Sequence, residues 1–202
     1  MNASRPGPAR SLTIPGIAAA AVALADRGGL DAVTMRSVAA AVGTSAPALY
    51  RYVASRDELL GHMVDLVSAE LRHPEPSGDW VGDLLAVTEQ QVVLHREHRW
   101  LGAASTAVMG PHVLDHLEWG MAVLAPLGAP TTAVMEALAL ANGVAALFGA
   151  AGPAAGPEIF RNLDAARHPA LTAALANAAP GPPADDLLRR VLTGILTAVL
   201  GR

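Results

Sequence analysis

The sequence predicts an all-α fold: an N-terminal three-helix unit containing a helix-turn-helix, followed by a larger all-helical domain. Three observations carry this. Apolar residues recur at spacings of three and four along most of the 202 residues, and no stretch alternates as a strand would. Hydrophobic residues make up 52% of the chain but aromatics only 3%, so the core must be built from Ala, Leu and Val, which suits closely packed helices. Residues 33–53 read as two short helices across a tight turn.

Within that stretch, Thr34 is placed to cap the first helix by accepting from an orphan N–H of its opening turn. Gly43 ends it, because a left-handed residue costs glycine nothing. Ser45 caps the second helix, and Pro47 falls in its first turn, where a missing N–H does no harm. Val38, Ala39 and Val42, then Leu49 and Val53, give each helix one buried stripe. Ala46, Pro47, Ala48, Tyr50, Arg51 and Tyr52 remain outward on a helix able to lie in a DNA major groove.

In chain order, residues 1–10 lack periodicity and are expected to be a disordered arm. A first helix should run from a cap at Thr13 to Arg27 and stop at Gly28-Gly29. A fourth, capped by Ser55, opens at Arg56 and carries Leu59, Leu60, Met63, Leu66 and Val67 to about residue 72, before Pro74. Residues 73–78 are a linker. Helices are expected at 80–97, 111–127, 131–151 and 185–200, the last capped within 182–185. Residues 152–156 should form a Gly/Pro loop, and the pattern is weak from there to 179. The expected organisation is an arm at 1–10, a helix-turn-helix domain at 11–56 and a second helical domain at 57–202. The helices near 131–151 and 185–200 are apolar around much of their circumference. They are expected to pair with their copies across a two-fold axis as a four-helix bundle.

Charge supports the same division. The net charge is −4, yet residues 1–60 hold six arginines against four acids, so the only net basic part contains the helix-turn-helix. The absence of cysteine excludes disulfides, thiolate metal sites and a Cys nucleophile, and suits a cytoplasmic protein. The apolar run 17–25 is too short to span a bilayer, so no membrane partner is expected.

The run LDAVTMRSVAAAVGTSAPALYRYVASRDELL (30–60) resembles the DNA-binding domain of TetR-type transcriptional repressors, in the tetracycline-repressor branch. Pro47, the ALYRYV pattern at 48–53 and Arg56 before Leu59-Leu60 carry the likeness. Asp79-Trp80, His98-Arg99-Trp100, Gly110-Pro111 and Glu118 are similar to the regulatory domain of that branch. The resemblance implies a homodimeric repressor whose C-terminal domain binds a small-molecule effector and dimerises, released thereby from a palindromic operator in double-stranded DNA. It implies that Arg36 contacts a base edge and that Thr34 lies near phosphate. Ser45, Ala46, Pro47, Ala48, Tyr50 and Tyr52 would line the recognition helix, and Arg56 would hold phosphate. Arginine suits bidentate contact with guanine, while Ala and Pro pack on a thymine methyl. Positions 46 and 48 are alanine, which shifts direct readout towards Arg36 and DNA shape.

The effector pocket is expected among the large side chains of the second domain: Trp80, Trp100, Met109, Trp119, Met121 and Phe148. Such a lining points to a hydrophobic or amphipathic effector. His112 and His116, and His95 and His98, have spacings that share a helix face, but without Cys or a Glu-His signature they read as solvent-facing or helix-end histidines, with no metal or cofactor. The position aligning with the magnesium-binding histidine of the tetracycline repressor is Ser105, so neither tetracycline nor magnesium carries over. No nucleophile elbow, phosphate loop or paired-carboxylate motif supports an enzyme. The alternative is a helical small-molecule-binding or enzymatic domain that uses the helix-turn-helix only as scaffold.

Overall fold

A computed structural model describes residues 12–104, 108–151, 160–177 and 184–201. The expected arm at 1–10, the loop at 152–156, position 105 and residues 182–183 of the last cap lie outside them. Nine α-helices occur among the described residues: α1 (Ile14–Gly28), α2 (Met35–Ala41), α3 (Ala46–Leu49), α4 (Arg56–Ser68), α5 (Trp80–Glu97), α6 (Pro111–Leu124), α7 (Thr131–Ala150), α8 (Pro169–Ala176) and α9 (Ala184–Leu200).

Local chemistry sets most boundaries. Thr13, Ser45, Ser55 and Asp79 each accept from a first-turn N–H of the helix that follows. At α2 the cap is reciprocal: Thr34 Oγ1 accepts from the Ser37 amide while Ser37 Oγ accepts from the Thr34 amide. Gly43, in the tight turn, has φ +74°, a conformation that strains any residue with a Cβ. Two helices end earlier than their apolar pattern predicts. Helix α4 stops at Ser68, because the next residues close turns and the Arg72 amide and carbonyl are taken by the Gln90 side chain. Helix α6 gives way after Leu124 to a 3₁₀ turn containing Pro126, which has no N–H to continue the α ladder. Conversely, α8 rises from the weakly patterned segment, opening on Pro169.

Two cores result. The first joins Ile17, Ala21 and Ala25 of α1 to Val38, Leu49, Val53 and the α4 residues Leu59, Met63 and Val67. Trp100, from beyond α5, is buried in this same core. The second gathers α5, α6, α7 and α9 around Leu84, Leu124, Leu138, Leu192 and Leu196. Packing therefore places α4 with the reader, so a division after residue 56 cuts through a continuous core. Helix α7 is the only described helix long and apolar enough to cross a membrane, but its buried face packs on α5 and α9, as in the core helix of a globular domain.

Candidate DNA-reading face and effector cavity

The reading face is built by α2, the turn and α3. Thr34, Arg36, Ser45, Pro47, Tyr50 and Tyr52 are exposed there, and Ala46 and Ala48 are half-buried. Leu49 and Val53 are fully buried and fix the opposite side. Helix α3 is one α-helical turn, extended by further turns to Val53 through Tyr50 N–H to the Ala46 carbonyl and Val53 N–H to that of Leu49. Tyr50 is 51% exposed, free to reach phosphate, as is the neighbouring Arg51. Arg56, exposed at the start of α4, also bonds the backbone: its Nε donates to the Val33 carbonyl at 3.2 Å and one terminal nitrogen to that of Leu30 at 3.0 Å. It braces the connection between α1 and α2, a role the residue pattern does not reveal.

A cavity of about 290 Å³ lies between α4, α5, α6 and α7. Helix α4 contributes Val64, Ser68 and Leu71 to its wall, and α5 contributes Gln91, Leu94 and His95. Val113, His116 and Leu117 of α6 face them, with Met135, Leu138, Ala139 and Asn142 of α7. Leu101, Ala104 and Met109 complete the described lining. Of the six side chains expected from sequence, only Met109 is there. Trp100 is in the reader's core with its indole N–H on Asp26 at 2.7 Å, and Trp119 donates to the Pro74 carbonyl at 2.7 Å. Trp80, Met121 and Phe148 pack on the second core. Large rigid side chains are the ones that fill cores, and this cavity is walled by smaller ones around them.

Of the four histidines read as solvent-facing or helix-end, His95 and His98 lie at the end of α5 and His112 is exposed in the first turn of α6, whereas His116 is inside α6 and, with His95, lines the cavity. His95 is 5% exposed, and its Nε2 has no hydrogen-bond partner among the described residues. His116 Nδ1 lies 3.0 Å from His73 Nε2, and its Nε2 3.2 Å from the Gln91 amide nitrogen. Burial pushes the His116 imidazole down to about 4, reinforced by His73, and burial lowers His73 and His95 as well. Released by unfolding, these groups take up protons as the pH falls below their ordinary 6.5, while folded His116 stays neutral to about 4. The unfolded state then binds more protons, so stability declines as pH drops through that window and is unaffected by this group at pH 7. Urea unfolding should show a smaller loss between pH 7 and pH 5 in His116→Gln than in the parent; an equal loss contradicts the assignment.

Between reader and cavity stand two carboxylate joints. Asp26 of α1 accepts from Trp100 and pairs with His98 Nδ1 at 2.8 Å. Asp65 of α4 is almost fully buried; its Oδ1 accepts from the amides of His112 and Val113 at 2.8 and 3.2 Å, and its Oδ2 meets His112 Nδ1 at 3.0 Å. Helix α6 begins after Gly110, which offers no side-chain cap, so an aspartate from another helix supplies it. A Cβ at Gly110 would collide with the Asp65 carboxyl group. The only sequence signal was an acid inside an apolar helical run. Asp65→Ala should cost about 1–3 kcal/mol of stability through the buried amides it orphans. Asp65→Asn, which keeps one acceptor, should recover part of that in chemical denaturation; equal stability of Asp65→Ala and the parent would rule the cap out.

Comparison with known proteins bears on both sites. Residues 17–63 match the family described as bacterial regulatory proteins, tetR family. The chain is 35% identical over 141 residues to the HTH-type transcriptional repressor DrrR1 of Streptomyces coeruleorubidus, covering 68% of this chain and 52% of that protein. It is 36% identical over 120 residues to an HTH-type transcriptional regulator of Saccharopolyspora erythraea, covering 58% of this chain and 51% of that one. The chain thus spans about half the length of these curated relatives. Among solved structures, the TetR family protein ActR of Streptomyces coelicolor in complex with (S)-DNPA is 25% identical, with a TM-score of 0.73 over 96% of this chain and 100% of that chain. BioQ with its double-stranded DNA operator shares the fold at 17% identity, with a TM-score of 0.62 over 93% of this chain and 99% of that chain.

Proposed function

The chain belongs to the tetR family of bacterial regulatory proteins, and from that premise we propose that it is a ligand-responsive transcriptional repressor of the cytoplasm. A homodimer binds a palindromic operator through Thr34, Arg36, Ser45, Ala46, Pro47, Ala48, Tyr50 and Tyr52. Arg56 adds a phosphate contact at the start of α4 while steadying the connection behind them. A small, largely apolar effector entering the cavity releases it. One observation carries this reading: α4 walls the cavity with Val64, Ser68 and Leu71 while its Leu59, Met63 and Val67 sit in the reader's core. The same helix holds the start of α6 through Asp65. An effector that favours one packing of α4 against α6 therefore favours one placement of the reader, a population shift between two arrangements. The ActR complex with (S)-DNPA and the BioQ complex with its operator support a shared architecture for the two binding events.

The dimer interface in this reading is formed by α7 and α9. Leu140, Gly143 and Leu147 lie along one face of α7, and Leu187, Val191, Gly194 and Ala198 along one face of α9. Leu140, Leu147 and Leu187 are exposed in the monomer, and a Cβ at Gly143 or Gly194 would meet nothing within 4 Å. Small and apolar faces of this kind let helices approach closely.

Selection of bound sequences from random DNA tests the proposal directly. Recovery of a palindrome with half-sites about one helical turn apart, bound with an affinity that falls steeply with salt, is the expected result. Failure to enrich any sequence at low salt, with small-molecule binding retained, would favour the alternative in which the helix-turn-helix is scaffold.

A further inference from the structure

The described wall of the cavity contains no Asp, Glu, Arg or Lys. Its polar members are Ser68, Gln91, His95, His116 and Asn142. Ser68 is already engaged, donating to the Val64 carbonyl at 2.8 Å. His116 is held on both ring nitrogens by His73 and Gln91. His95 is different: buried, in the cavity wall, and with Nε2 lacking a partner among the described residues. A buried imidazole nitrogen without a partner is costly, and a ligand group that shares a proton with it removes the cost.

We infer that the cavity selects an apolar weak acid whose acidic hydroxyl is received by His95, an inference that rests on this cavity being the effector site. A cationic ligand would be buried with no described anion to pair with. A carboxylate entering bare would fare no better, but with one proton taken from water by the imidazole it forms a charge-assisted pair that is neutral overall. The ligand's anion, the imidazole and that proton account for every charge. The Asn142 side chain of α7 hydrogen-bonds the His95 ring, Gly102 of the 3₁₀ turn at 101–103 and Gly149 of α7 pack beside it, and only Nε2 is left without a partner among the described residues. Those facing His116 are His73 and Gln91, with Asp115 acting on His73 and the Asp65–His112 pair one turn earlier on α6.

The test uses the full chain and three probes on one frame: anthracene-9-carboxylic acid, 9-anthracenemethanol and 9-(aminomethyl)anthracene. Calorimetry in two buffers of different ionisation enthalpy should show uptake of close to one proton with the acid at pH 7.5. Its affinity should rise from pH 8 to pH 6, approaching tenfold per unit, while the alcohol stays nearly flat and the amine binds at least tenfold more weakly than the acid at pH 6.5. His95→Gln, which keeps a polar amide but takes no proton, should abolish both the acid's pH slope and its proton uptake. His95→Phe gives a second variant with the same expectation. An amine that binds as well as the acid, or acid binding without proton uptake, overturns the inference. Binding of the alcohol but not the acid overturns it while leaving the cavity as effector site; binding of none of the three overturns both.

Discussion

Arg36→Ala should weaken operator binding by about 1–3 kcal/mol at each half-site, since one bidentate base contact has that worth. A homodimer meets two half-sites, so the whole complex should lose about 2–6 kcal/mol, roughly 30-fold to more than 10,000-fold in affinity. The expectation is large because few side chains on the face can read a base. Ala46 and Ala48 are half-buried and carry no hydrogen-bonding group, and Pro47 has none either. Arg36 is exposed in the first turn of α2, beside the reciprocal cap that sets that helix's start. Its substitution should leave thermal stability unchanged. Arg56→Ala provides the contrast: by releasing the carbonyls of Leu30 and Val33 it should lower stability and affinity together. Mobility shift at one fixed salt concentration, alongside thermal melts, separates the two. Unchanged affinity for Arg36→Ala would remove it from the contact set.

Leu147→Glu should dissociate the proposed dimer. Leu147 is 69% exposed in the monomer, on the apolar face proposed to meet its copy. A carboxylate buried there without a partner costs about 3–5 kcal/mol, raising the dimer dissociation constant about a hundred- to several-thousand-fold. Light scattering over a dilution series should show monomer where the parent is dimeric, and operator affinity should fall with it, because two half-sites are no longer engaged as one. Leu171→Glu, at an exposed position on α8 outside the proposed interface, should remain dimeric. A Leu147→Glu dimer of undiminished stability would move the interface elsewhere.

How much of this was legible in the sequence follows from the range over which each interaction acts. The reader was visible because its determinants are local: Thr34, Ser45 and Ser55 cap the helices they precede, and Gly43 turns the chain where it stands. The joints were not, because they link residues far apart in the chain. Asp65 caps a helix beginning 46 positions later, and Asp26 meets Trp100 across 74. Periodicity could mark Asp65 only as a flaw in an apolar stripe. The cavity is hidden from the sequence for a separate reason. Side-chain size selects residues that fill space, whereas a cavity is defined by what its neighbours leave open. Gln91, His95, His116 and Asn142 line the cavity without any size to single them out, and the spacing of the two histidines says nothing of the space beside them.

Trp100 has a consequence for anyone wishing to build hybrid regulators. Its indole is 4% exposed, inside the core made by α1, α2 and α4, although the residue follows α5 in the chain. A chimera joined in the linker after α4 would carry every helix of the reader and still lack the side chain that closes it, leaving a void the size of an indole and Asp26 without its strongest partners. The transferable module is thus discontinuous: residues 12–71 together with the 98–101 turn, or a recipient whose own domain presents a tryptophan at that place.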